Sequence, residues 1–405
     1  TKAEKEQILT VANFTAHRSP ERFIYRGLSL NSRHIDWHMF SEVSMRQYMK
    51  DEIRERLQMI RDTAESADGR CITPSHETLL HLAAGLGEVQ LLNRLLQRHA
   101  DPNVQIILPQ QAFPSIPDSE QGNTPLTYAC QPGMDDSTPL PVHNRISCLN
   151  LLIQYGADVN KPGPLGWPPL VITCVAGIGG APYEEAALFL LKCGADISLQ
   201  PELKGKKTSL LTWATAAGYP LLVRKLCEAG YDPNFRGEMV PPLLSLNLNT
   251  PNTALQIAHI LLEYGADVNA AMPASTTLPE TTGDTALLNL CRQLAFIDVS
   301  QLPQIRELVS LFISEGADVN HQNAAGETPL MACCRGMLLG DDSLDRLKLG
   351  IARLLLDHRA DPSLRDKYGR TALQRIGNRS NEHLQMVLKY LPELSAPPLP
   401  KKENR

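Results

Sequence analysis

Apolar residues recur along the chain in short runs at helical spacing, and a polar turn closes each run. The turn reads Gly-Ala-Asp-Val-Asn at Gly156–Asn160, Gly265–Asn269 and Gly316–Asn320. Glycine ends a helix because it adopts a left-handed backbone without a Cβ clash, and Asp and Asn then favour a tight turn. Four looser copies follow the same order: Ala100–Asn103, Gly194–Ser198, Gly230–Asn234 and Ala360–Ser363. The pattern predicts a repeating helical unit that ends in a turn.

The stretch before the first repeat predicts a helix of its own. Residues 1–40 show no clear periodicity. Residues 41–69 begin with Ser41 as a helix cap, continue with apolar residues three or four positions apart from Met45 to Ala64, and end at Gly69. We interpret this segment either as a cap on the open end of the first repeat or as a docking helix for a partner.

Each repeat opens with a helix cap and a short helix of small and apolar residues. The first reads Thr-Leu-Leu-His-Leu-Ala-Ala over residues 78–84, followed by Gly87 and a leucine-rich second helix. Thr caps the helix, and Pro in several copies takes the first helical position, where no amide donor is needed. The later copies open at Thr124, Pro168, Ser209, Pro241, Thr285, Thr328 and Thr371.

Together, these openings and turns resemble the ankyrin repeat. The resemblance implies an all-α solenoid of about eight repeats over residues 70–395, in which helix-turn-helix units are joined by β-hairpin-like turns. The N-terminal helix would cap this array. A short helix pair cannot bury its own apolar face, so stacking of neighbours supplies the core. The resemblance also implies that His81 makes a structural hydrogen bond to a neighbouring backbone.

The spacing of the turns predicts insertions. Intervals such as Asn103 to Asn160 and Asn269 to Asn320 far exceed the roughly 33 residues of an ankyrin unit. We place the extra residues near 105–120, 131–146, 270–283, 294–304 and 334–348. Insertions in repeat arrays form surface loops that often lie on the binding side.

Composition narrows the partner class. A net charge of −5 gives no electrostatic case for nucleic acid, and the apolar runs are too short to span a membrane. Nine cysteines are scattered without the spacing of a disulfide framework, which indicates a reducing compartment. We therefore expect a cytoplasmic location, with the nucleus also open.

The sequence offers no convincing catalytic or cofactor motif. Gly177–Gly180 is glycine-rich but lacks the full phosphate-binding spacing, and it lies where a turn between helices belongs. His34 and His38 could share a helix face, but no acidic partner completes a metal site. We predict no enzyme activity, no cofactor and no metal.

The resemblance implies a binding surface built from hairpin tips and first helices. Two sets of positions should face outward there: those just before each helix cap, and those after the small-residue pair. The candidates are Glu77, Asn123, Gln131, Trp167, Thr208, Asp284, Arg292, Glu327, Arg335 and Arg370. For Trp167, packing against a neighbouring hairpin and anchoring a partner both remain open.

Two further expectations concern modification and the tail. By resemblance, an iron-dependent asparaginyl hydroxylase would favour Asn160 and Asn269, which follow Leu152 and Leu261 by eight residues. Residues 396–405 form a basic, proline-rich tail. Within it, Pro397–Lys402 matches an SH3-type ligand pattern, but that pattern is short and common, and a plain linker is the preferred interpretation.

The sequence therefore predicts a non-enzymatic scaffold that binds a protein partner through the concave ankyrin surface and the inserted loops. The alternative is a recognition arm of a larger adaptor or enzyme whose chemistry lies outside this chain.

Overall fold

The computed structural model describes residues 78–106, 122–131, 142–163, 166–178, 183–198, 202–203, 206–207, 209–234, 240–274, 281–294, 302–335, 342–376, 387–389 and 391–395. The predicted helix at 41–69, the segment 1–40 and the tail 396–405 lie outside them. The chain divides into two compact units, Thr1–Leu222 and Val223–Arg405, with the boundary inside the helix Pro220–Glu228.

The first unit holds repeats one to three and the first helix of repeat four. The first helices are Leu79–Gly85, Pro125–Cys130, Pro169–Gly177 and Leu210–Ala217, and the second helices of repeats one to three are Val89–Gln97, Val142–Gln154 and Glu184–Lys192. First helices of successive repeats pack together, as do second helices. Glu202–Leu203 and Lys206–Lys207 form a small antiparallel hairpin before repeat four.

The second unit holds repeats five to eight. First helices are the 3-10 turn Pro242–Ser245 and the helices Ala286–Gln293, Pro329–Cys334 and Ala372–Arg375, and second helices are Pro251–Glu263, Leu302–Ser314 and Asp342–Asp357. A 3-10 turn, Pro392–Ser395, follows repeat eight. Here too, first helices pack on first helices and second on second. Within the described segments, the predicted all-α repeat fold is confirmed.

The predicted helix caps are present. The side-chain oxygen accepts a first-turn backbone N–H at Thr78, Thr124, Ser209, Thr285 and Thr328. The predicted role of His81 is also confirmed, because its Nε2 lies 3.0 Å from the carbonyl oxygen of Asn123 in the next repeat. Each cap satisfies amide groups that the first turn of a helix leaves without a partner.

Five turn asparagines each link their repeat to the next. Asn160 donates from Nδ2 to the carbonyl of Gly194 (3.2 Å) and accepts from the backbone N–H of Asp196 (2.7 Å). The same pair of bonds is made by Asn103, Asn234, Asn269 and Asn320. The turn aspartates serve the turn itself, since Asp158 accepts from the N–H of Asn160 at 2.9 Å.

Several predicted insertions were drawn too wide. Residues 142–146, 302–304 and 342–348 belong to second helices, and residues 105–106 and 272 belong to the base of a hairpin. In the hairpin before repeat six, for example, the N–H of Met272 donates to the carbonyl of Asp284 at 2.8 Å. The spacing of the turn motifs gives the number of extra residues in a repeat. It does not show whether those residues lengthen a helix or a loop.

Two of these second helices carry buried cations that cap the preceding first helix. Arg145 donates from Nη1 to the carbonyls of Ala129 and Gln131, the latter at 2.6 Å, and its guanidinium lies 4.1 Å from the ring of Tyr183. Lys348 donates to the carbonyl of Arg335 at 3.3 Å. A cation is favoured there because the last carbonyls of a helix lack partners and carry its negative dipole end.

The turn geometry makes a prediction about stability. Gly316 has φ +87° with no atom within 4 Å of an added Cβ, whereas Arg359 holds the matching position one repeat later at φ +68°. A left-handed backbone costs a residue with a Cβ roughly 1–2 kcal/mol. Gly316→Ala should therefore lower the free energy of unfolding in urea by ~1 kcal/mol, and Arg359→Gly should raise it by up to ~1 kcal/mol. Equal effects of one sign would contradict this account.

Candidate protein-binding site

The two predicted sets of binding residues bond to each other. Gln131 donates from Nε2 to Oδ1 of Asn123 at 3.1 Å, eight residues earlier. The same spacing joins Arg292 to Asp284 at 3.1 Å and Arg335 to Glu327 at 2.8 Å. The residue before the cap is thus held by the residue at the end of the same first helix.

The expected exposure was wrong for three of the ten candidates. Asn123, Asp284 and Glu327 are buried, with at most 1% of their surface exposed. The physical reason is that the residue before the cap turns in toward adjacent elements. The carbonyl of Asn123 faces His81, and Asp284 accepts from Nδ2 of Asn323 at 2.7 Å.

Trp167 is the fourth buried candidate, with 2% of its surface exposed. Its ring packs against that of Trp213, with the ring centroids 5.5 Å apart and the planes inclined at 55°. Of the two alternatives for Trp167, packing is the one that the structure shows. Trp167 therefore belongs to the core of the first unit.

Glu327 is the centre of an ion-pair network in the second unit. Its Oε2 lies 2.7 Å from Nη2 of Arg292, and its Oε1 lies 2.8 Å from Nη2 of Arg335 and 3.3 Å from Nη2 of Arg375. The three arginines come from the first helices of repeats six, seven and eight, or from the residue just after them. One buried carboxylate therefore bridges three successive repeats.

Asp366 extends the network into the hairpin before repeat eight. Its Oδ1 accepts the backbone N–H groups of Tyr368 and Arg370, both at 2.9 Å. Its Oδ2 lies 3.0 Å from Nε of Arg370 and 3.0 Å from Nη2 of Arg375. Burial alone would raise the pKa of Asp366, but these hydrogen bonds and the two guanidinium groups hold it below its ordinary range.

Sequence reasoning missed Asp366 and Arg375. A signal for Asp366 existed: it holds the place in its hairpin that Asn323 holds one repeat earlier, and both side chains accept backbone N–H groups of the hairpin. Arg375 lies inside the first helix, at a position that other repeats give to small or neutral residues. Its arginine could have been flagged as unusual.

Cationic and aromatic side chains border this network. We call Arg335, Lys367, Tyr368 and Arg370 the Arg-Tyr edge. The side chains of Arg335 and Arg370 are 48% and 44% exposed, and Tyr368 is 68% exposed. The guanidinium carbon of Arg370 lies 4.8 Å from the centre of the Tyr368 ring, and Nζ of Lys367 lies 5.1 Å from it.

Close backbone contact fixes the hairpin that carries the Arg-Tyr edge. The N–H of Lys367 donates to the carbonyl of Ala325 in the preceding hairpin at 2.9 Å. Gly326 has φ +69°, and a Cβ there would lie 3.0 Å from the backbone nitrogen of Lys367. Two successive hairpins are therefore held against each other along their main chains.

The other predicted sites have different outcomes. Glu77, Thr208 and Pro397–Lys402 lie outside the described residues, and their roles stay predictions. Gly177, from the glycine-rich run, ends the helix Pro169–Gly177, and the ring of Tyr219 occupies the space that a Cβ would need. Close packing accounts for that glycine.

Asn160 and Asn269 stay predicted hydroxylation sites. In the folded chain, both amide atoms of each side chain already bond to the next repeat. A hydroxylase that grips the segment in extended form would have to open this turn first. The signature of the modification is the mass of one added oxygen on the peptide that contains either asparagine.

Seven of the eight described cysteines are buried and suited to packing rather than reaction. Burial raises the pKa of the Cys130 and Cys227 thiols to about 11 and of the Cys148 and Cys333 thiols to about 12. Such thiols are neutral near pH 7 and therefore poor nucleophiles. Across the part of the chain that the structure describes, no group of three or more His, Cys, Asp or Glu is placed to hold a metal, and no helix is both long and apolar enough to cross a membrane.

The fold and this site define a helical repeat protein, and comparison with known proteins identifies the repeat. The sequence model described as "Ankyrin repeat" matches residues 75–106, 121–163 and 325–367. The chain therefore contains ankyrin repeats in these three segments. Ankyrin repeats are protein-interaction modules and are typically not enzymes.

Similar proteins include ankyrin repeat proteins, but they do not identify a partner. The chain is 39% identical over 51 residues to human Protein phosphatase 1 regulatory subunit 27, a match that covers 13% of this chain and 30% of the relative. It is 28% identical over 177 residues to Putative ankyrin repeat protein FPV031 of fowlpox virus, covering 44% of each chain. It is 28% identical over 199 residues to Putative ankyrin repeat protein YahD of Escherichia coli, covering 49% of this chain and 85% of that protein.

The network predicts a pH-dependent change in stability that depends on Asp284. Burial raises the pKa of Asp284 from 3.8 to about 6, against the opposing effects of Arg292, Asn323 and His321, while Glu327 adds to the rise. A carboxyl whose pKa is raised by folding stabilises the protein fully below its unfolded pKa, and that contribution is lost as the pH rises through the folded value.

From pH 4 to pH 7, the free energy of unfolding of the wild type should therefore fall by roughly 1–3 kcal/mol relative to that of Asp284→Asn. Urea unfolding of both proteins at the two pH values measures this difference, and subtracting the variant cancels the titration of groups that do not interact with Asp284. A difference that stays constant, or that favours the wild type as the pH rises, would contradict the assignment.

Proposed function

We propose that this chain is a non-enzymatic scaffold that binds a protein partner through the hairpin tips and first helices of repeats six to eight. This surface corresponds to the concave surface that the resemblance implies, and the inserted loops would border it. The observation that supports the proposal is the Arg-Tyr edge, which is exposed to solvent while the network around Glu327 and Asp366 holds its arginines in place.

The chemistry of the Arg-Tyr edge suits an interface anchor. Tyr and Arg are enriched among the few residues that supply most of the binding energy of protein interfaces. Arg335 and Arg370 are each bonded to a buried carboxylate, so they lose less side-chain entropy on binding than free arginines would. Tyr368 adds an exposed aromatic ring beside them.

Replacing Tyr368 should weaken the partner. Tyr368→Ala removes the most exposed large apolar side chain of the described residues without touching an ion pair. Tyr155→Ala is the matched control, because Tyr155 is 41% exposed in the other unit. We expect Tyr368→Ala to cost more than ~1 kcal/mol of binding free energy, and Tyr155→Ala to cost little.

The measurement is quantitative affinity purification from cells with the wild type and both variants. Proteins retained by the wild type and by Tyr155→Ala, but depleted with Tyr368→Ala, would support the proposal. If every retained protein were recovered equally with all three baits, the binding site would have to lie elsewhere.

The second candidate is a recognition arm within a larger adaptor or enzyme. It is favoured by the match to a relative whose name describes a regulatory subunit of a phosphatase. If it holds, a catalytic subunit should be among the proteins that co-purify with the wild-type chain, and its recovery should fall with Tyr368→Ala. Recovery without any catalytic subunit would remove this candidate.

A further inference from the structure

Within the network around Glu327 and Asp366, the carboxylates lie deeper than the cations of the Arg-Tyr edge. The carboxylates of Asp284, Glu327 and Asp366 are buried, with side-chain exposures of 1%, 1% and 0%. Among the residues of this network and the adjoining Arg-Tyr edge, the exposed cationic groups are Arg335, Lys367 and Arg370. A partner that approaches this part of the surface therefore meets positive charge, although the whole chain carries a net charge of −5.

The exposed arginines retain donors for a ligand. Arg370 donates from Nε to Asp366, and Arg335 donates from Nη2 to Glu327. A guanidinium has five N–H donors, so most of them stay available at each arginine within the described part of the chain. Arginine donors in a fixed orientation suit carboxylates, which accept two parallel hydrogen bonds.

Tyr368 adds an apolar contact between the charges. Its ring is flanked by the guanidinium of Arg370 and by the ammonium group of Lys367. A ligand that satisfied only the charges would leave this ring in water. The combination selects a chain that presents carboxylates and an apolar or aromatic side chain together.

We infer that the Arg-Tyr edge binds an acidic segment of a protein partner, with Asp or Glu carboxylates on Arg335 and Arg370 and an apolar side chain against Tyr368. This inference rests on the proposed function and adds the chemistry of the partner. Because the chain as a whole is acidic, its long-range electrostatic interaction with an acidic segment is repulsive. Binding therefore depends on the local arrangement of positive charge.

The test uses the full chain and three fluorescent probes. The first is a twelve-residue peptide of Asp, Glu and spaced Leu and Phe. The second is the same peptide with every carboxylate replaced by its amide, and the third is a single-stranded oligouridine of similar charge. Fluorescence anisotropy gives Kd for each probe at low and at moderate salt.

We expect the acidic peptide to bind at least tenfold more tightly than its amide twin, and its Kd to rise with salt because exposed charges are screened. Arg335→Gln/Arg370→Gln should weaken it at least tenfold. Since that variant also breaks bonds to buried carboxylates, Lys367→Glu serves as a second variant that leaves those ion pairs in place, and it should weaken binding at least fivefold. Arg306→Glu, an exposed arginine on the second helix Leu302–Ser314, is the matched control and should change Kd less than twofold.

Three results would overturn the inference: equal Kd for the acidic and amide peptides, an unchanged Kd in Lys367→Glu, or tighter binding of oligouridine that the same variants abolish. These failures are distinct from failure of the proposed function. If cellular partners depend on Tyr368 while the acidic peptide does not bind, the partner chemistry is wrong and the binding function stands.

Discussion

The carboxylate of Glu327 is the group on which the arrangement of repeats six to eight depends. It contacts Arg292, Arg335 and Arg375, which come from three successive repeats. Stacked repeats otherwise meet through non-directional packing of Leu and Ala. That packing sets the distance between repeats but does not fix the orientation of polar side chains. A single buried acceptor with three donors fixes that direction for all three arginines.

Buried ion pairs of this kind are poor evidence for stability. Removing charges from water costs much of what their attraction returns, and burial indeed raises the pKa of Asp284 despite its contact with Arg292. Asp366 behaves in the opposite way, because two backbone N–H groups and two arginines surround it. The network is thus better explained by the positions it imposes than by net stabilisation. Those positions place Arg335 and Arg370 at the surface, and Arg370 lies against the ring of Tyr368.

The sequence predicted the scaffold well because the scaffold is local. Caps at Thr78 or Thr328, and turns such as Gly316–Asn320, depend on a few neighbouring residues whose backbone preferences can be read directly. The interpretation of His81 came from the resemblance to the ankyrin repeat, and its partner is the carbonyl of Asn123, just before the cap of the next repeat.

The candidate site was predicted only in part because it depends on contacts between repeats. The residues Asp284, Arg292, Glu327, Arg335 and Arg370 were all selected, but the selection assumed that they face solvent. The repeat pattern gives the position of Glu327 within its own repeat. It does not show that arginines from the repeats on either side contact this carboxylate. Asp366 and Arg375 were missed because each gains its role from a residue of an adjacent element, and Trp167 was resolved only by its contact with Trp213.

The most direct test of this account is the stability of Glu327→Gln. That change keeps the shape of the side chain and removes the charge, so Arg292 and Arg375 lose their shared buried partner. Glu263→Gln is the control, since Glu263 is exposed and pairs with Arg224 at the surface at 3.2 Å. We expect Glu327→Gln to lower the free energy of urea unfolding by ~3 kcal/mol, whereas Glu263→Gln should leave it nearly unchanged. Equal effects of the two substitutions would contradict a central role for Glu327.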